Sequence, residues 1–324
     1  MTDKNVSILW EAVDYIRAEE IKRIFPQVDF IDVSSGPLVD SETNGEIFLV
    51  SPTRDADELP KFLDKGVKWV HIMAHGVDGL PFDLLDECVV TCSRGASSVP
   101  IAEWVLTMLL AHTKKIPESW ITEEPKNWFL APLDTLSEAT VALLGFGSIN
   151  QEIAKRLEPF GCRVVAFRQS KNSDSEFAVE MASTLEEAVS DADHVVIGLP
   201  LTDETNQLVG DEVMKLMKPG AHLVNIARGD IVDQDALFKN LESGQISRAS
   251  LDVVSPEPLP EGHWLYTDPR VMLSPHISWA SPDFLDRLHE IFISNLEKWL
   301  SDMPLDGVVA VSYTHLTLPT SDLV

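Results

Sequence analysis

Cysteine and basic residues are scarce in this chain of 324 residues. Its three cysteines are Cys88, Cys92 and Cys162, and an odd number without a Cys/His cluster disfavours both a disulfide framework and a zinc site. The 25 basic residues are outnumbered by 52 acidic ones, which gives a formal net charge of −27. This charge disfavours nucleic acid and anionic membranes as partners. The acidity is consistent with a salt-rich habitat or equally with plain solubility.

A membrane-length apolar run and a leader pattern are also missing from the sequence. No apolar run is long enough to cross a bilayer, and Met1–Asn5 lacks the basic-then-apolar pattern of a signal peptide. We therefore expect a cytoplasmic protein with no bound metal. The length predicts two domains, each able to bury its own core.

Apolar runs alternate with helical segments along most of the chain, as is typical of α/β folds with parallel sheets. The expected strands are Val6–Trp10, Val28–Val33, Ile47–Val50, Val67–Met73, Val141–Leu144, Arg163–Phe167, His194–Pro200, Ala221–Ile226, Ser250–Val254 and Val271–Ser274. The expected helices are Ala12–Ile24, Val99–Lys115, Gln151–Leu157 and Pro282–Trp299.

This pattern predicts two Rossmann-like or flavodoxin-like domains with parallel sheets and a cleft between them. We expect a discontinuous substrate domain, residues 1–100 and 282–310, around an inserted dinucleotide-binding domain, residues 101–281. Within the remaining residues, 311–324, the stretch Val311–Thr320 resembles the translation of a sequencing adapter. We interpret this segment as a non-native, poorly packed tail, with a genuine tail as the alternative.

A glycine turn lies between two of the apolar runs, after Val141–Leu144 and before Arg163–Phe167. Strand, glycine turn, helix and strand in this order hold a dinucleotide pyrophosphate on a helix N-terminus. Gly145 allows the tight turn, and Gly147 lets the backbone approach the pyrophosphate closely. The turn residues predicted to bind the cofactor are Gly145, Phe146, Gly147, Ser148 and Ile149.

Asn150 departs from the usual form of this motif, whose third position carries Gly for close packing of helix and strand. Since Asn is larger, we expect the helix to sit slightly farther from the strand. The alternative for the whole motif is an ordinary glycine turn, because the pattern alone is weak. The flanking strands and helix favour the dinucleotide interpretation.

Arg168 ends the second strand of the motif, where an acid would accept a hydrogen bond from the ribose 2′-hydroxyl. An acid would repel a 2′-phosphate, whereas Arg can bind one with two parallel hydrogen bonds. Ser170 and Lys171 follow within reach and would add contacts. The sequence therefore predicts NADP(H) as the preferred cofactor, with NAD(H) as a possible one. The alternative is a solvated charge at a strand end.

Three polar residues follow later strands and form a chemical set: Arg228, Glu257 and His276. Reduction of a 2-keto acid needs a cation for the carboxylate and carbonyl, and a proton donor that titrates near neutrality, which suits His. A neighbouring carboxylate would raise the pKa of such a His and orient its ring. Taken singly, each has a structural alternative: a capping or ion-paired Arg, a loop acid and a satisfied buried His.

These motifs resemble those of the D-isomer-specific 2-hydroxyacid dehydrogenase family, in particular its glyoxylate/hydroxypyruvate reductase-like members. The resemblance covers residues 45–305 and is most specific over Lys218–Asp233. It implies that Arg228 anchors the substrate, that His276 is the acid/base and that Glu257 is its carboxylate partner.

The same resemblance implies further contacts. Substrate would meet the backbone N–H groups of His75 and Gly76. The bulky Trp279 close to His276 departs from the family pattern, and we expect it to narrow the pocket to small substrates, with core packing as the alternative. The other cofactor residues implied are Leu199, Pro200, Ala227 and Asp252, the last holding the nicotinamide carboxamide.

The resemblance thus implies NAD(P)H-dependent reduction of small 2-keto acids to D-2-hydroxy acids, by a homodimer that associates through the helix near Val99–Lys115. Two alternatives stay open. A phosphoglycerate-dehydrogenase-like enzyme would favour extra basic residues in the first domain, where no clear basic cluster is found. A nucleotide-sensing, corepressor-like binding protein could retain all three site residues.

Overall fold

The computed structural model describes residues 5–10, 16–33, 44–50, 59–78, 82–124, 128, 132–168 and 178–309. The beginning of the first expected helix, Ser170, Lys171 and the expected tail 311–324 lie outside the described residues. The chain divides into two compact units, one comprising Met1–Ser97 with Ser281–Pro319, and the other Ser98–Ala280. The assignment of substrate to one unit and cofactor to the other stays a prediction.

The helices alternate with short strands through most of the described chain. The helices are α1 (Ala18–Ile24), α2 (Pro60–Leu63), α3 (Ser98–Thr113), α4 (Ser148–Leu157), α5 (Leu185–Val189), α6 (Asp211–Leu216), α7 (Gln234–Ser243) and α8 (Phe284–Leu300). The strands are β1 (Val6–Trp10), β2 (Val28–Asp32), β3 (Ile47–Val50), β4 (Trp69–Ile72), β5 (Val89–Cys92), β6 (Thr140–Leu144), β7 (Arg163–Phe167), β8 (Glu180–Ala182), β9 (His194–Ile197), β10 (Ala221–Asn225), β11 (Ile246–Leu251) and β12 (Val271–Leu273).

The first unit is built on a five-stranded parallel sheet in the order β2-β1-β3-β4-β5, which is the flavodoxin order. The last helix of the described chain, α8, belongs to this unit. Its residues Leu288, Phe292 and Leu296 recur every four positions and join the core formed by Ile47 and Trp69.

The second unit contains a seven-stranded parallel sheet in the order β12-β11-β10-β9-β6-β7-β8. Successive residues of β6 enter different cores because side chains alternate across a strand. Val141 and Leu143 pack in the cluster that includes α3 and α4, whereas Ala142 and Leu144 pack in the cluster that includes α5, α6 and α7. The sheet is therefore covered on both faces, and the α/β class expected from the sequence is confirmed.

Several element boundaries differ from the sequence expectations. Helix α4 begins at Ser148, three residues before the expected Gln151, because the glycine turn supplies its N-cap. Strand β11 covers Ile246–Leu251 instead of 250–254, since its polar residues are paired with β10 and β12. Strands β5 and β8 were not expected, because β5 contains the polar Thr91 and β8 buries only Ala182, so neither forms a clear apolar run. The homodimer expected through α3 stays a prediction.

Three histidines form a cluster in the second unit, in which His194 and His222 are buried and His112 is half-buried. The Nδ1 atoms of His194 and His222 lie 3.1 Å apart, and Nε2 of His222 lies 2.9 Å from the Ser250 hydroxyl. The ring of His112 stacks on that of His222, with centroids 4.5 Å apart. No group of His, Cys, Asp or Glu within the described ranges is arranged to hold a metal ion, and no helix there is long and apolar enough to span a bilayer.

Burial keeps the histidine cluster in its neutral form. It lowers the pKa of His194 to about 3 and that of His112 to about 4, and holds the pKa of His222 well below its usual value. The positive charge of Arg248 acts in the same direction on His112 and His222, whereas Asp193 opposes the shift at His194.

The cluster is expected to make the stability of this protein fall in mild acid. Below the ordinary histidine pKa of 6.5, and down to about 4 for His112, the unfolded chain binds protons that the folded cluster does not. The free energy of unfolding should therefore fall by about 1 kcal/mol per pH unit for each histidine. Urea unfolding between about pH 7 and about pH 5 measures this slope. His194→Asn should make it shallower, and an unchanged slope would contradict the assignment.

Candidate active site

Residues after adjacent strands of the second sheet carry most of the predicted site. In the spatial order of the strands, His276 follows β12, Asp252 and Glu257 follow β11, Ala227 and Arg228 follow β10, Leu199 and Pro200 follow β9, Gly145–Ile149 follows β6, and Arg168 follows β7. Because all these strands are parallel, their carboxyl ends meet at one edge. From β6 the chain proceeds outward to β7 and β8, then returns to β9 on the other side of β6, which is the topological switch point where such sheets bind ligands.

The glycine turn has the geometry that a bound phosphate group requires. Gly145 has φ +84°, and a Cβ there would lie 2.7 Å from the carbonyl oxygen of Gly198, so only glycine fits. Gly147 is the N-cap of α4, so no capping side chain covers the first N–H groups of the helix. The hydroxyl of Ser148 is buried and has no hydrogen-bond partner among the described residues. These free donors fit a dinucleotide pyrophosphate.

Asn150 is accommodated inside the packed junction of strand and helix. Its side chain is 1% exposed, and its Nδ2 donates to the carbonyls of Leu144 and Gly145. Space for this amide comes from Gly198, which follows the neighbouring strand β9. Asn150 is therefore hydrogen-bonded to the end of β6. The sequence predicted only that a larger residue here would move the helix away from the strand, and it did not predict these bonds.

Arg168 lies beside the glycine turn. It follows β7 directly, and the last carbonyl of that strand, on Phe167, accepts a hydrogen bond of 2.9 Å from the N–H of Gly145. This position is the one from which a side chain can contact the ribose of a dinucleotide bound at the turn. Ser170 lies outside the described residues, so its predicted cofactor contact stays a prediction.

Arg228 is held at the end of β10 by its neighbours. The buried Asn225 donates from Nδ2 to the carbonyl of Arg228 at 2.9 Å and accepts at Oδ1 from the N–H of Ala227 at 3.0 Å. The Nη1 of Arg228 donates to the carbonyl of Ala227 at 2.6 Å. At Gly229, a Cβ would lie 2.0 Å from the carbonyl carbon of Val254. Glycine is thus required for the segments after β10 and β11 to approach each other.

His276 and Glu257 form a direct pair. The distance from His276 Nδ1 to Glu257 Oε2 is 2.9 Å, and Glu257 Oε1 accepts from the N–H of Val254 at 3.0 Å. The side chain of His276 is 43% exposed, so the alternative of a satisfied buried histidine is wrong. Its backbone has φ +54°, a left-handed conformation that is uncommon for residues other than glycine.

Asp252 holds the backbone around His276 in place. Its carboxylate is buried and accepts from the hydroxyl of Ser274 at 2.6 Å and from the N–H groups of Ile277 and Ser278 at 2.9 Å each. Its own carbonyl accepts from the N–H of His276 at 2.8 Å. These bonds on both sides of His276 stabilise its left-handed conformation.

The remaining predicted substrate residues lie on both units. His75 and Gly76 follow β4 in the first unit. Trp279 follows β12 in the second unit; its Nε1 donates to the carbonyl of His276 at 2.8 Å, and the residue is 39% exposed. Core packing, the alternative for Trp279, is therefore wrong.

Sequence reasoning missed three residues at this edge: Gly198, Asn225 and Gly229. The sequence around each residue carried a signal, but the signal was ambiguous. Gly198 and Asn225 each interrupt or end an apolar run, and Gly229 follows Arg228 directly. What makes them necessary is a contact with a residue distant in sequence, which one sequence cannot reveal.

Comparison with protein families identifies the chain. The family model described as "D-isomer specific 2-hydroxyacid dehydrogenase, NAD binding domain" matches residues 106–278, more than half of the chain and most of the second unit. The chain belongs to the D-isomer-specific 2-hydroxyacid dehydrogenase family. The match to an NAD-binding model over residues 106–278 agrees with the fit of the glycine turn to a pyrophosphate.

Two proteins similar to this chain have reductase names. The chain is 34% identical to the human glyoxylate reductase/hydroxypyruvate reductase over 253 residues, which cover 74% of this chain and 76% of the human protein. It is 35% identical to the glyoxylate reductase of Thermococcus gammatolerans over 205 residues, which cover 60% of this chain and 61% of that protein.

Solved structures of the family have the same fold. A D-isomer specific 2-hydroxyacid dehydrogenase of Xanthobacter autotrophicus Py2, in complex with NADPH and MES, is 25% identical with a TM-score of 0.81, and the match covers 95% of this chain and 99% of that one. A D-isomer specific 2-hydroxyacid dehydrogenase family protein from Aeromonas salmonicida is 26% identical with a TM-score of 0.76. The match covers 95% of this chain and 100% of that one.

The Asp252 carboxylate is expected to control the order of the segment around His276. In Asp252→Asn an NH2 group replaces one of the two acceptor oxygens, so that a side-chain N–H faces a backbone N–H. Amide hydrogen exchange at Ile277 and Ser278 should therefore accelerate more than about tenfold. Ser274→Ala is the matched control, because it removes one bond to the same carboxylate and keeps both backbone bonds. Equal exchange rates in the two variants would contradict this role for Asp252.

Proposed function

We propose that this chain is an NAD(P)H-dependent reductase of small 2-keto acids, of the glyoxylate or hydroxypyruvate type, and that it prefers NADP(H). The observation that carries the proposal is the His276–Glu257 pair, 2.9 Å apart and half exposed at the edge of a nicotinamide-cofactor domain. The names of the human and Thermococcus relatives support this substrate class.

The proton is handled by His276. A carboxylate only accepts hydrogen bonds, so Nδ1 of His276 is the donor to Glu257, and Nε2 is left to exchange a proton with the substrate oxygen. Glu257 is itself oriented by the N–H of Val254, and its bond to Nδ1 fixes the orientation of the His276 ring. In the reduction, His276 Nε2 gives its proton to the keto oxygen, and it takes the proton back in the oxidation.

The remaining roles follow from charge and position. Arg228 is the cation that binds the substrate carboxylate and stabilises negative charge on the keto oxygen. Gly145–Ser148 holds the pyrophosphate, and Leu199, Pro200 and Ala227 line the nicotinamide side of the edge. The bound nicotinamide supplies the hydride. His75 and Gly76 offer backbone N–H groups to the substrate carboxylate, and Trp279 restricts substrate size. Asp252 would hold the nicotinamide carboxamide, and its carboxylate, which accepts from three groups of the chain, also orders the segment around His276.

The proposal is tested by cofactor oxidation with glyoxylate, hydroxypyruvate and longer 2-keto acids. The wild-type protein should turn over the small acids, and His276→Asn should lower kcat by about two to four orders of magnitude while cofactor binding is retained. His263→Asn is the matched control, since His263 lies on the β11–β12 connection that carries Glu257, and an Asn can make the same cap. Dinucleotide binding without turnover of any 2-keto acid by the wild-type protein would favour the nucleotide-sensing alternative.

Arg168 is proposed to select the 2′-phosphate. Arg168→Asp should lower the ratio of kcat/KM for NADPH to that for NADH by at least about tenfold, because a carboxylate repels the phosphate and accepts from a ribose hydroxyl. Arg168→Gln, which removes the charge only, should give an intermediate ratio. A wild-type preference for NADH would contradict this assignment.

A further inference from the structure

The side chain of Asn150 ties helix α4 to the strand that precedes it. Asn150 is the third residue of α4, and its Nδ2 donates to the carbonyl of Leu144 at 3.2 Å and to that of Gly145 at 2.6 Å. Leu144 ends β6, and Gly145 is the left-handed residue of the turn. The amide therefore closes the glycine turn from the helix side.

The orientation of this amide is fixed by chemistry. Carbonyl oxygens only accept hydrogen bonds, so the nitrogen and not the oxygen of the amide must face Leu144 and Gly145. The oxygen, Oδ1, is then buried without a donor among the described residues. A buried unpaired acceptor destabilises the folded chain and calls for an explanation, of which a role in function is one.

Gly198 is the structural counterpart of Asn150. Its N–H donates to the same Leu144 carbonyl at 2.8 Å. A Cβ at Gly198 would lie 2.6 Å from Nδ2 of Asn150 and 2.9 Å from both Cγ and Oδ1, closer than real Cβ contacts. The amide is covered by backbone carbonyls on one side and by Gly198 on the other, so a methyl group at position 198 would displace it.

We propose that Asn150 is a positioning residue for cofactor binding and that Gly198 is its required counterpart, an inference that rests on the proposed function. The peptide unit is planar and trans, so the carbonyl of Gly145 and the N–H of Phe146 point in opposite directions. By holding that carbonyl, Asn150 directs the N–H of Phe146 away from its own side-chain amide. A donor with a fixed direction binds an anion without further loss of entropy.

The pair is tested by a double-mutant cycle of Asn150→Gly and Gly198→Ala, with NADPH as the probe. Gly is usual at this motif position, so Asn150→Gly should fold. It should weaken NADPH binding about tenfold and raise the KM for NADPH, with kcat at saturating NADPH within about twofold of wild type. Gly198→Ala should weaken binding more than about tenfold in the wild-type protein but less than about twofold in the Asn150→Gly background.

Gly210→Ala is the matched control. A Cβ at Gly210 would meet its nearest neighbours at 3.4 and 3.9 Å, so NADPH binding and the melting temperature should change little. Folding of the double variant when Gly198→Ala alone does not fold would support the same coupling. The inference is overturned if Gly198→Ala weakens NADPH binding by the same factor in the wild-type protein and in Asn150→Gly. It is also overturned if Asn150→Gly binds NADPH like the wild type, or if Asn150→Gly does not fold. Wild-type protein that binds neither NADPH nor NADH would instead overturn the proposed function.

Discussion

All seven strands of the second sheet run parallel, and this constraint brings residues distant in sequence to one edge. Two neighbouring parallel strands must be joined by a crossover connection, so the loop after each strand begins at the same edge of the sheet. Gly145, Arg228 and His276 therefore share an edge although they lie far apart along the chain. The order of the strands decides which of these loops are neighbours.

Buried polar side chains bond to the backbone at that edge. Asn150 binds carbonyls at the end of β6, Asn225 binds backbone groups after β10, and Asp252 accepts N–H groups beyond β12. Each is polar and buried, and each makes its bonds within a few ångströms of a predicted site residue. These bonds hold the loops in one conformation, as a site that is organised before its ligand binds requires.

Glycine makes the close approach of these loops possible. Gly145, Gly198 and Gly229 each face backbone or an amide at distances that a Cβ does not tolerate. Gly145 and Gly198 lie at the switch point between β6 and β9, and Gly229 lies where the loops after β10 and β11 meet. At these three positions there is no room for a Cβ, so a single methyl group would disturb the position of the chemical groups.

The apolar runs and their turn residues determined the α/β class, the glycine turn and the importance of Arg228, Glu257 and His276, since these signals are local. The pairing of His276 with Glu257 was predictable in kind, because a proton-transferring His commonly needs a carboxylate. Strands β5 and β8, the bonding of Asp252 and the fit of Asn150 against Gly198 were decided only by the tertiary structure. Each depends on contacts between distant segments, and the free energy of such a contact is set by the distance and direction between atoms that sequence order does not specify.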